Sequence, residues 1–181
     1  GLPDASVQVL QGIAFVLILA SEALRGVDWR AAGERFRFGY NWRQFLHLYS
    51  MERLAAARQS LCDAFQRENF NGLSFLDAGC GSGLFSLAAA TLGARVVSFD
   101  FDPQSVACAE FLRTQPAHAD YAWHVQRGSL LDAAYIAELG QFDLVFCWGV
   151  AHHTGQMWTA LHNLMQTVRS DGQICVALYN D

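Results

Sequence analysis

Three glycines at alternate positions constrain this chain more than any other feature of its sequence. Gly79, Gly81 and Gly83 follow a short apolar run at 73–77 and precede a helical pattern at 84–92. Glycine permits a sharp turn and leaves no Cβ between the backbone and a ligand. The amide N–H groups of such a loop, and of the helix that follows it, can hold a carboxylate or another oxygen-rich group. The sequence therefore predicts a strand, a glycine loop and a helix, with a ligand site at the loop.

Apolar strands and helical segments alternate along the rest of the chain. Further strands are predicted at 95–99, 123–126, 142–147 and 173–179, and helices at 51–70, 103–113, 131–139 and 157–168. The last of these helices has an apolar stripe along one side, and Asp171 and Gly172 are predicted to end it. This alternation predicts an α/β fold with a Rossmann-like, doubly wound parallel sheet. Ligands bind such sheets at the carboxyl ends of the strands, where the strand order reverses. We therefore expect the chemistry just after Asp77, Phe99, Gln126 and Cys147.

The composition excludes several other classes of protein. With 52% hydrophobic and 16% charged residues, the chain is not intrinsically disordered. Its net charge of −5 argues against a nucleic-acid partner. All 12 basic residues are arginine, which excludes P-loop and Schiff-base chemistry based on lysine. The five cysteines never form a C-x-x-C pair, which argues against a disulfide framework or a zinc site and predicts a reducing, cytoplasmic setting.

The glycine loop does not fit the dinucleotide fingerprint G-x-G-x-x-G. Its last glycine would stand where the chain has Leu84 or Ser86, depending on the frame. An NAD-dependent oxidoreductase is therefore disfavoured, although it stays an alternative. Asp100 ends the second predicted strand, where a carboxylate can accept hydrogen bonds from both hydroxyls of a ribose.

These motifs together resemble those of a known family. The segments FLDAGCGSGLFSLAA, VVSFDFDP, GSLLD and FDLVFCWGVAHHTG resemble the successive motifs of the class I S-adenosylmethionine-dependent methyltransferases. RFRFGYNWRQFL and ALYND resemble a bacterial subgroup of methyltransferase-domain proteins, so the resemblance covers about residues 35–181. It implies S-adenosylmethionine as cofactor and methyl transfer to an O, N or C atom of a small molecule. A non-catalytic cofactor-binding or scaffold protein of the same fold stays an alternative.

The resemblance implies cofactor contacts after each of the first four strands. Asp77 and the loop would face the methionine part, Asp100 the ribose, and Phe101 one face of the adenine, unless Phe101 is a core residue. The implied set is Asp77, Gly79, Cys80, Gly81, Gly83, Asp100, Phe101, Ser129, Leu130, Asp132, Cys147 and Trp148.

Residues after the third and fourth strands complete that set. Ser129 and Leu130 would meet the adenine edge. Asp132 would bind the exocyclic amine, or merely begin its helix. Cys147 and Trp148 would close the methionine side, and neither Cys80 nor Cys147 is expected to act as a nucleophile.

His152 and His153 follow the fourth predicted strand, where an acceptor should approach. Because a sulfonium already makes its methyl group electrophilic, the protein mainly has to align donor and acceptor. Either histidine would serve as a general base if the acceptor must lose a proton. Alternatively, one of them caps or packs the turn at 154–155. The other histidines offer no compact ligand spacing, so no metal site is expected.

An aromatic cluster precedes the first predicted helix of this domain. Tyr40, Trp42 and Tyr49 are predicted to form a lid over the acceptor pocket, or equally to pack against the sheet.

The two ends of the chain carry separate expectations. Residues 1–28 are apolar and predict a helix that packs on the domain or lies at an interface. Membrane contact is expected only if this apolar segment is a genuine part of the protein. They also resemble the tail of a sugar-type ABC transporter permease, so the boundary is drawn between 1–28 and a methyltransferase domain at 29–181. The family's sheet has seven strands. We expect strands six and seven to be missing here, or a partner to cover the fifth strand.

Overall fold

The predicted alternation of strands and helices is confirmed in the structure, a computed structural model that describes residues 50–178. One-turn 3-10 helices lie at Pro116–His118 and Ala151–Thr154. The regular elements are, in chain order, α1 (Met51–Phe65), β1 (Ser74–Ala78), α2 (Leu84–Thr91), β2 (Arg95–Asp100), α3 (Pro103–Arg113), β3 (Trp123–Arg127), α4 (Ala133–Leu139), β4 (Phe142–Trp148), α5 (Met157–Met165) and β5 (Val168–Ala177).

The described strands form one parallel sheet in the order β3-β2-β1-β4-β5. The chain moves outward from β1 to β2 and β3, then returns to place β4 on the other side of β1. This confirms the doubly wound, Rossmann-like fold. The order reverses between β1 and β4, so the carboxyl ends of these two strands and of β2 border the crevice where such sheets bind ligands.

Helices cover both faces of the sheet, as a doubly wound fold requires. On one face α1, α2 and α3 pack around four phenylalanines, in which the Phe65 and Phe75 rings meet edge to face with centroids 6.0 Å apart. On the other face, α4 and α5 contribute Ile136 and Leu164, which pack against Leu76 of β1. Burying each such side chain contributes roughly 1.5–3 kcal/mol, so both layers hold the strand ends in fixed positions.

The helix boundaries follow from local capping. The Asp102 carboxylate accepts a hydrogen bond from the Gln104 N–H at 2.8 Å, and Pro103 occupies the first helical position of α3. Helix α1 ends at Gln66, which adopts the left-handed conformation with φ 52°, so the helix is shorter than the predicted 51–70.

The prediction for the last helix was wrong at its end. Helix α5 stops at Met165, and Asp171 and Gly172 lie within β5 instead of closing a helix. The pairing of β5 with β4 shifts register between Phe142 and Leu144, which makes an irregular bulge at 169–172. A Cβ on Gly172 would lie 2.9 Å from the Phe142 carbonyl oxygen, so the bulge needs a glycine there.

The apolar stripe predicted for this helix is only partly buried. Trp158 and Met165 are 76% and 53% exposed. The buried side of α5 is formed by Ala160, Asn163 and Leu164 instead, and the Asn163 amide donates to the Leu130 carbonyl oxygen at 2.8 Å. A polar residue thus occupies a buried position because a backbone acceptor satisfies it.

Several expectations concern residues outside the described range. These are the segment 1–28 with its boundary and its resemblance to a permease, and the aromatic cluster Tyr40, Trp42 and Tyr49. Among residues 50–178, no helix has the length and apolar character needed to cross a membrane.

Candidate functional site

The glycine loop follows β1 and packs closely against Val150, which follows β4, and Ala109 of α3. Gly79, Gly81 and Gly83 all have positive φ, at 84°, 55° and 82°. A Cβ on Gly79 would lie 2.5 Å from a methyl carbon of Val150, and one on Gly83 would lie 2.9 Å from the Cβ of Ala109. At Gly79 and Gly83, both the backbone conformation and the packing therefore require glycine.

The Asp100 carboxylate is fixed beside this loop by two backbone N–H groups. Its Oδ2 accepts from the Gly81 N–H at 3.0 Å and its Oδ1 accepts from the Asp102 N–H at 2.9 Å. Burial raises the pKa of Asp100, while these two hydrogen bonds lower it. A carboxylate has about four lone-pair sites, so the group can accept a further hydrogen bond beside those from the backbone.

A second carboxylate lies under the first turn of α2. Asp77 is only 2% exposed, and its Oδ2 accepts a hydrogen bond from the Ser86 hydroxyl at 2.5 Å. The pKa of Asp77 is raised to about 7, mainly by burial and also by the charge of Asp100, while the hydrogen bonds from Ser86 lower it. A buried carboxylate that titrates near neutrality favours a cationic or hydrogen-bond-donating group beside it.

The two cysteines of the implied set are buried thiols. Burial raises the pKa of Cys147 to about 12 and raises that of Cys80 well above the ordinary value of a thiol. Neither forms a thiolate at neutral pH, so neither is an activated nucleophile. Cys147 packs in the α4–α5 layer, whereas the half-buried Trp148 stacks on Phe146 of the opposite layer with ring centroids 5.7 Å apart. All five cysteines of the chain are described, and none of them forms a disulfide.

Phe101 is not a core residue, which excludes the alternative interpretation of this position. Its side chain is 53% exposed, directly after Asp100. The guanidinium carbon of Arg127 lies 5.7 Å from the centroid of its ring. The end of β2 thus carries an exposed aromatic side chain next to the Asp100 carboxylate.

The loop after β3 is held by its own side chains and by α5. The Ser129 hydroxyl accepts from the Leu131 N–H at 3.2 Å, and Leu130 is buried. Asp132 begins α4, since its Oδ1 accepts from the Tyr135 N–H at 3.0 Å. The capping role of Asp132 is therefore clear, and contacts of these residues with an adenine stay predictions.

Sequence reasoning missed a pair that shapes this loop. A Cβ on Gly128 would overlap the ring of Tyr135, so the tyrosine packs directly on the Gly128 backbone. The Tyr135 hydroxyl accepts from the Gln126 amide at 2.8 Å, and its ring meets Phe99 edge to face at 5.3 Å. Burial raises the pKa of Tyr135 to about 12, so it stays neutral. The only feature of the sequence that marks this contact is the glycine directly before Ser129.

The two adjacent histidines lie in the 3-10 helix that follows β4. Their ring centroids are 3.9 Å apart, with His153 exposed and His152 half-buried. The Thr154 hydroxyl donates to the Ala151 carbonyl oxygen at 2.7 Å and accepts from the Gln156 N–H at 3.2 Å. This turn is therefore capped without either imidazole. In the part of the chain that is described, no three His, Cys, Asp or Glu side chains are grouped to hold a metal ion.

The chain has a parallel sheet covered by helices, a glycine loop after β1 and an acidic residue at the end of β2. These features together define a fold class that binds nucleoside-containing cofactors. Residues 76–174 match the family described as "Methyltransferase domain". The chain therefore belongs to this methyltransferase family, which confirms the resemblance seen in its motifs.

Curated relatives and solved structures agree with this assignment. The ubiquinone biosynthesis O-methyltransferase of Rhizobium rhizogenes is 32% identical over 142 residues, which cover 75% of this chain and 54% of that protein. The chain thus spans about half the length of the curated relatives that it matches.

Two solved structures share the fold. The N-terminal domain of EvdMO1, crystallised in the presence of SAH and D-fucose, aligns with a TM-score of 0.55 and 22% identity over 70% of this chain and 50% of that one. The [4+2]-cyclase SpnF aligns with a TM-score of 0.56 and 16% identity over 66% of this chain and 42% of that one. At these identities the likeness concerns the fold alone.

Proposed function

We propose that this chain binds S-adenosylmethionine at the edge formed by β1 and β2 and catalyses methyl transfer to an O, N or C atom of a small molecule. The observation that carries the proposal is the Asp100 carboxylate, which Gly81 and Asp102 fix beside the glycine loop. A carboxylate so held is suited to accept both hydroxyls of a ribose.

The residues present fit the rest of this cofactor. Helix α2 begins directly after the loop at Leu84, and the N–H groups in the first turn of such a helix can hold a carboxylate. We expect Asp77 to interact with the amino group of the methionine part and Phe101 to cover one face of the adenine. When bound, the cofactor supplies an electrophilic methyl group on a sulfonium.

The chain's own contribution to transfer is alignment and, for an acidic acceptor, proton removal. The exposed His153 is the better placed of the two histidines to meet an acceptor that arrives from solvent. As a general base it would remove the proton of an acceptor O–H or N–H group. The names of the curated relatives favour an oxygen acceptor.

The acidic net charge of the chain favours a small-molecule acceptor over nucleic acid. The five cysteines, none of which forms a disulfide, support a reducing, cytoplasmic location.

A non-catalytic or differently catalytic protein of this fold is the main alternative. SpnF shows that a cyclase can share this fold, so fold alone does not establish methyl transfer. An NAD-dependent oxidoreductase is disfavoured by Leu84 and Ser86 at the positions of the missing third glycine.

The experiment is a transfer assay with S-adenosylmethionine labelled in its methyl group and a panel of phenols, quinols and amines. Label in at least one acceptor, with formation of S-adenosylhomocysteine, supports the proposal. Binding of S-adenosylhomocysteine without transfer to any acceptor class would favour the non-catalytic alternative. A fluorescence titration with NADH tests the oxidoreductase, and we expect no binding.

A further inference from the structure

Arg127 lies next to the Phe101 ring, at the point where β2 and β3 end. It is the last residue of β3 and pairs in register with Asp100. Its Nε–H donates to the Phe101 carbonyl oxygen at 3.2 Å, and its guanidinium carbon lies 5.7 Å from the centroid of the Phe101 ring. The adjacent Gly128 N–H donates to the Asp100 carbonyl oxygen at 3.0 Å. Arg127 therefore contacts both the backbone and the side chain of the residue after Asp100.

This contact has consequences for the ring. An exposed phenylalanine has several accessible rotamers, and a ligand that stacks on it must restrict them. A guanidinium over one face of a ring is attracted by its quadrupole, which favours one orientation of the ring. The guanidinium lies over the Phe101 ring, and 53% of the Phe101 side chain is exposed to solvent, where a flat ligand can approach it.

We infer that Arg127 is a positioning residue that orients the Phe101 ring for stacking against the adenine of the cofactor. The inference deepens the proposed function and rests on it. Arg127 is exposed, so it is not needed to fill the core. Its action on the adenine passes through Phe101.

The test is a double-mutant cycle on the affinity for S-adenosylhomocysteine, measured by isothermal titration. Because exposed cation–π contacts contribute roughly 0.5–1 kcal/mol, we expect Arg127→Gln to raise Kd about 2- to 5-fold. Arg127→Lys keeps the cation and should restore at least half of that loss. In a Phe101→Leu background, Arg127→Gln should have no further effect.

Arg113→Gln on α3 is the matched control. This substitution also removes one guanidinium charge, which in the wild type pairs with Glu110 at 2.8 Å. It should leave Kd unchanged. An equal loss in Arg113→Gln, or a loss from Arg127→Gln that persists in the Phe101→Leu background, would show a general charge effect and overturn the inference. Unchanged Kd in Arg127→Gln would overturn it too.

Failure of the inference and failure of the proposed function are distinguishable. If the wild-type chain binds S-adenosylhomocysteine and the cycle shows no coupling, only the role of Arg127 is wrong. If the folded wild-type chain does not bind it, the cofactor site itself is wrong, and the role of Arg127 falls with it. A thermal melt of each variant reports whether it is folded. If Arg127→Gln does not fold, the Kd of Arg127→Lys tests the role of Arg127 instead.

Discussion

Asp77→Asn should change how the stability of the protein depends on pH. The folded-state pKa of Asp77, about 7, lies above its ordinary value of 3.8, because the carboxyl is buried. The folded chain therefore holds this proton more tightly than the unfolded chain. The stabilisation of the folded chain by this bound proton is complete below pH 3.8 and is lost as the pH rises through 7. At about 1.36 kcal/mol per pKa unit, the total loss is about 4 kcal/mol.

The assay is urea unfolding of wild type and Asp77→Asn at pH 5 and pH 8. Asparagine is isosteric, can still accept from Ser86 and does not titrate. The stability of wild type relative to the variant should therefore fall by roughly 2–3 kcal/mol between these two pH values. An equal difference at both values, or one that grows in favour of wild type as pH rises, would refute the reasoning.

Asp143→Asn provides a control of opposite sign. The Ser74 N–H and hydroxyl donate to the Asp143 carboxylate at 2.8 and 2.7 Å and lower its pKa. Its stabilising contribution is present above the ordinary value of 3.8 and is lost only as the pH falls through the lowered pKa. The stability difference between wild type and Asp143→Asn should thus be the same at pH 5 and pH 8.

Two further substitutions test the loops around the site. Gly128→Ala should destabilise the chain by about 1–3 kcal/mol in urea unfolding, since its Cβ overlaps the Tyr135 ring. In a Tyr135→Ala background the same change should cost little, and an undiminished cost there would contradict the packing argument. His153→Gln should lower the rate of methyl transfer to a phenolic acceptor about 10²- to 10⁴-fold without changing the Kd of S-adenosylhomocysteine. A wild-type rate of methyl transfer in His153→Gln would show that His153 is not the general base.

The periodic features of the sequence predicted most of the fold. Helix α3 begins at Pro103 and ends at Arg113 as expected, because Asp102 and Pro103 are local signals that act within one turn. The strands were predicted to within one or two residues, apart from β5. Strand β5 also includes residues 169–172, which form a bulge. The bulge depends on the pairing of β5 with β4, so no local feature of the sequence indicates it.

The candidate site was predictable where a backbone requirement dictates the residue type. The glycines of the loop have positive φ and close neighbours, so their pattern carries the information directly. The packing of Tyr135 on Gly128, and the position of Arg127 over Phe101, join residues through tertiary contacts that a single sequence does not encode locally. The exposure of Trp158 and Met165 could not be predicted, because helical periodicity identifies an apolar stripe and not the side of the helix that packs.

The most direct test of the cofactor site is an isothermal titration of the purified chain with S-adenosylhomocysteine, beside Asp100→Ala and the control Asp63→Ala. Asp63 is an exposed carboxylate on α1 that accepts a hydrogen bond from Gln59. Because a hydrogen bond to a charged group contributes roughly 1.5–3 kcal/mol, losing both ribose contacts should weaken binding at least about 30-fold. Saturable binding by wild type and Asp63→Ala, with this loss in Asp100→Ala, is the predicted result. Equal affinity of all three chains, or no binding by a folded wild type, would contradict the assignment of the cofactor site.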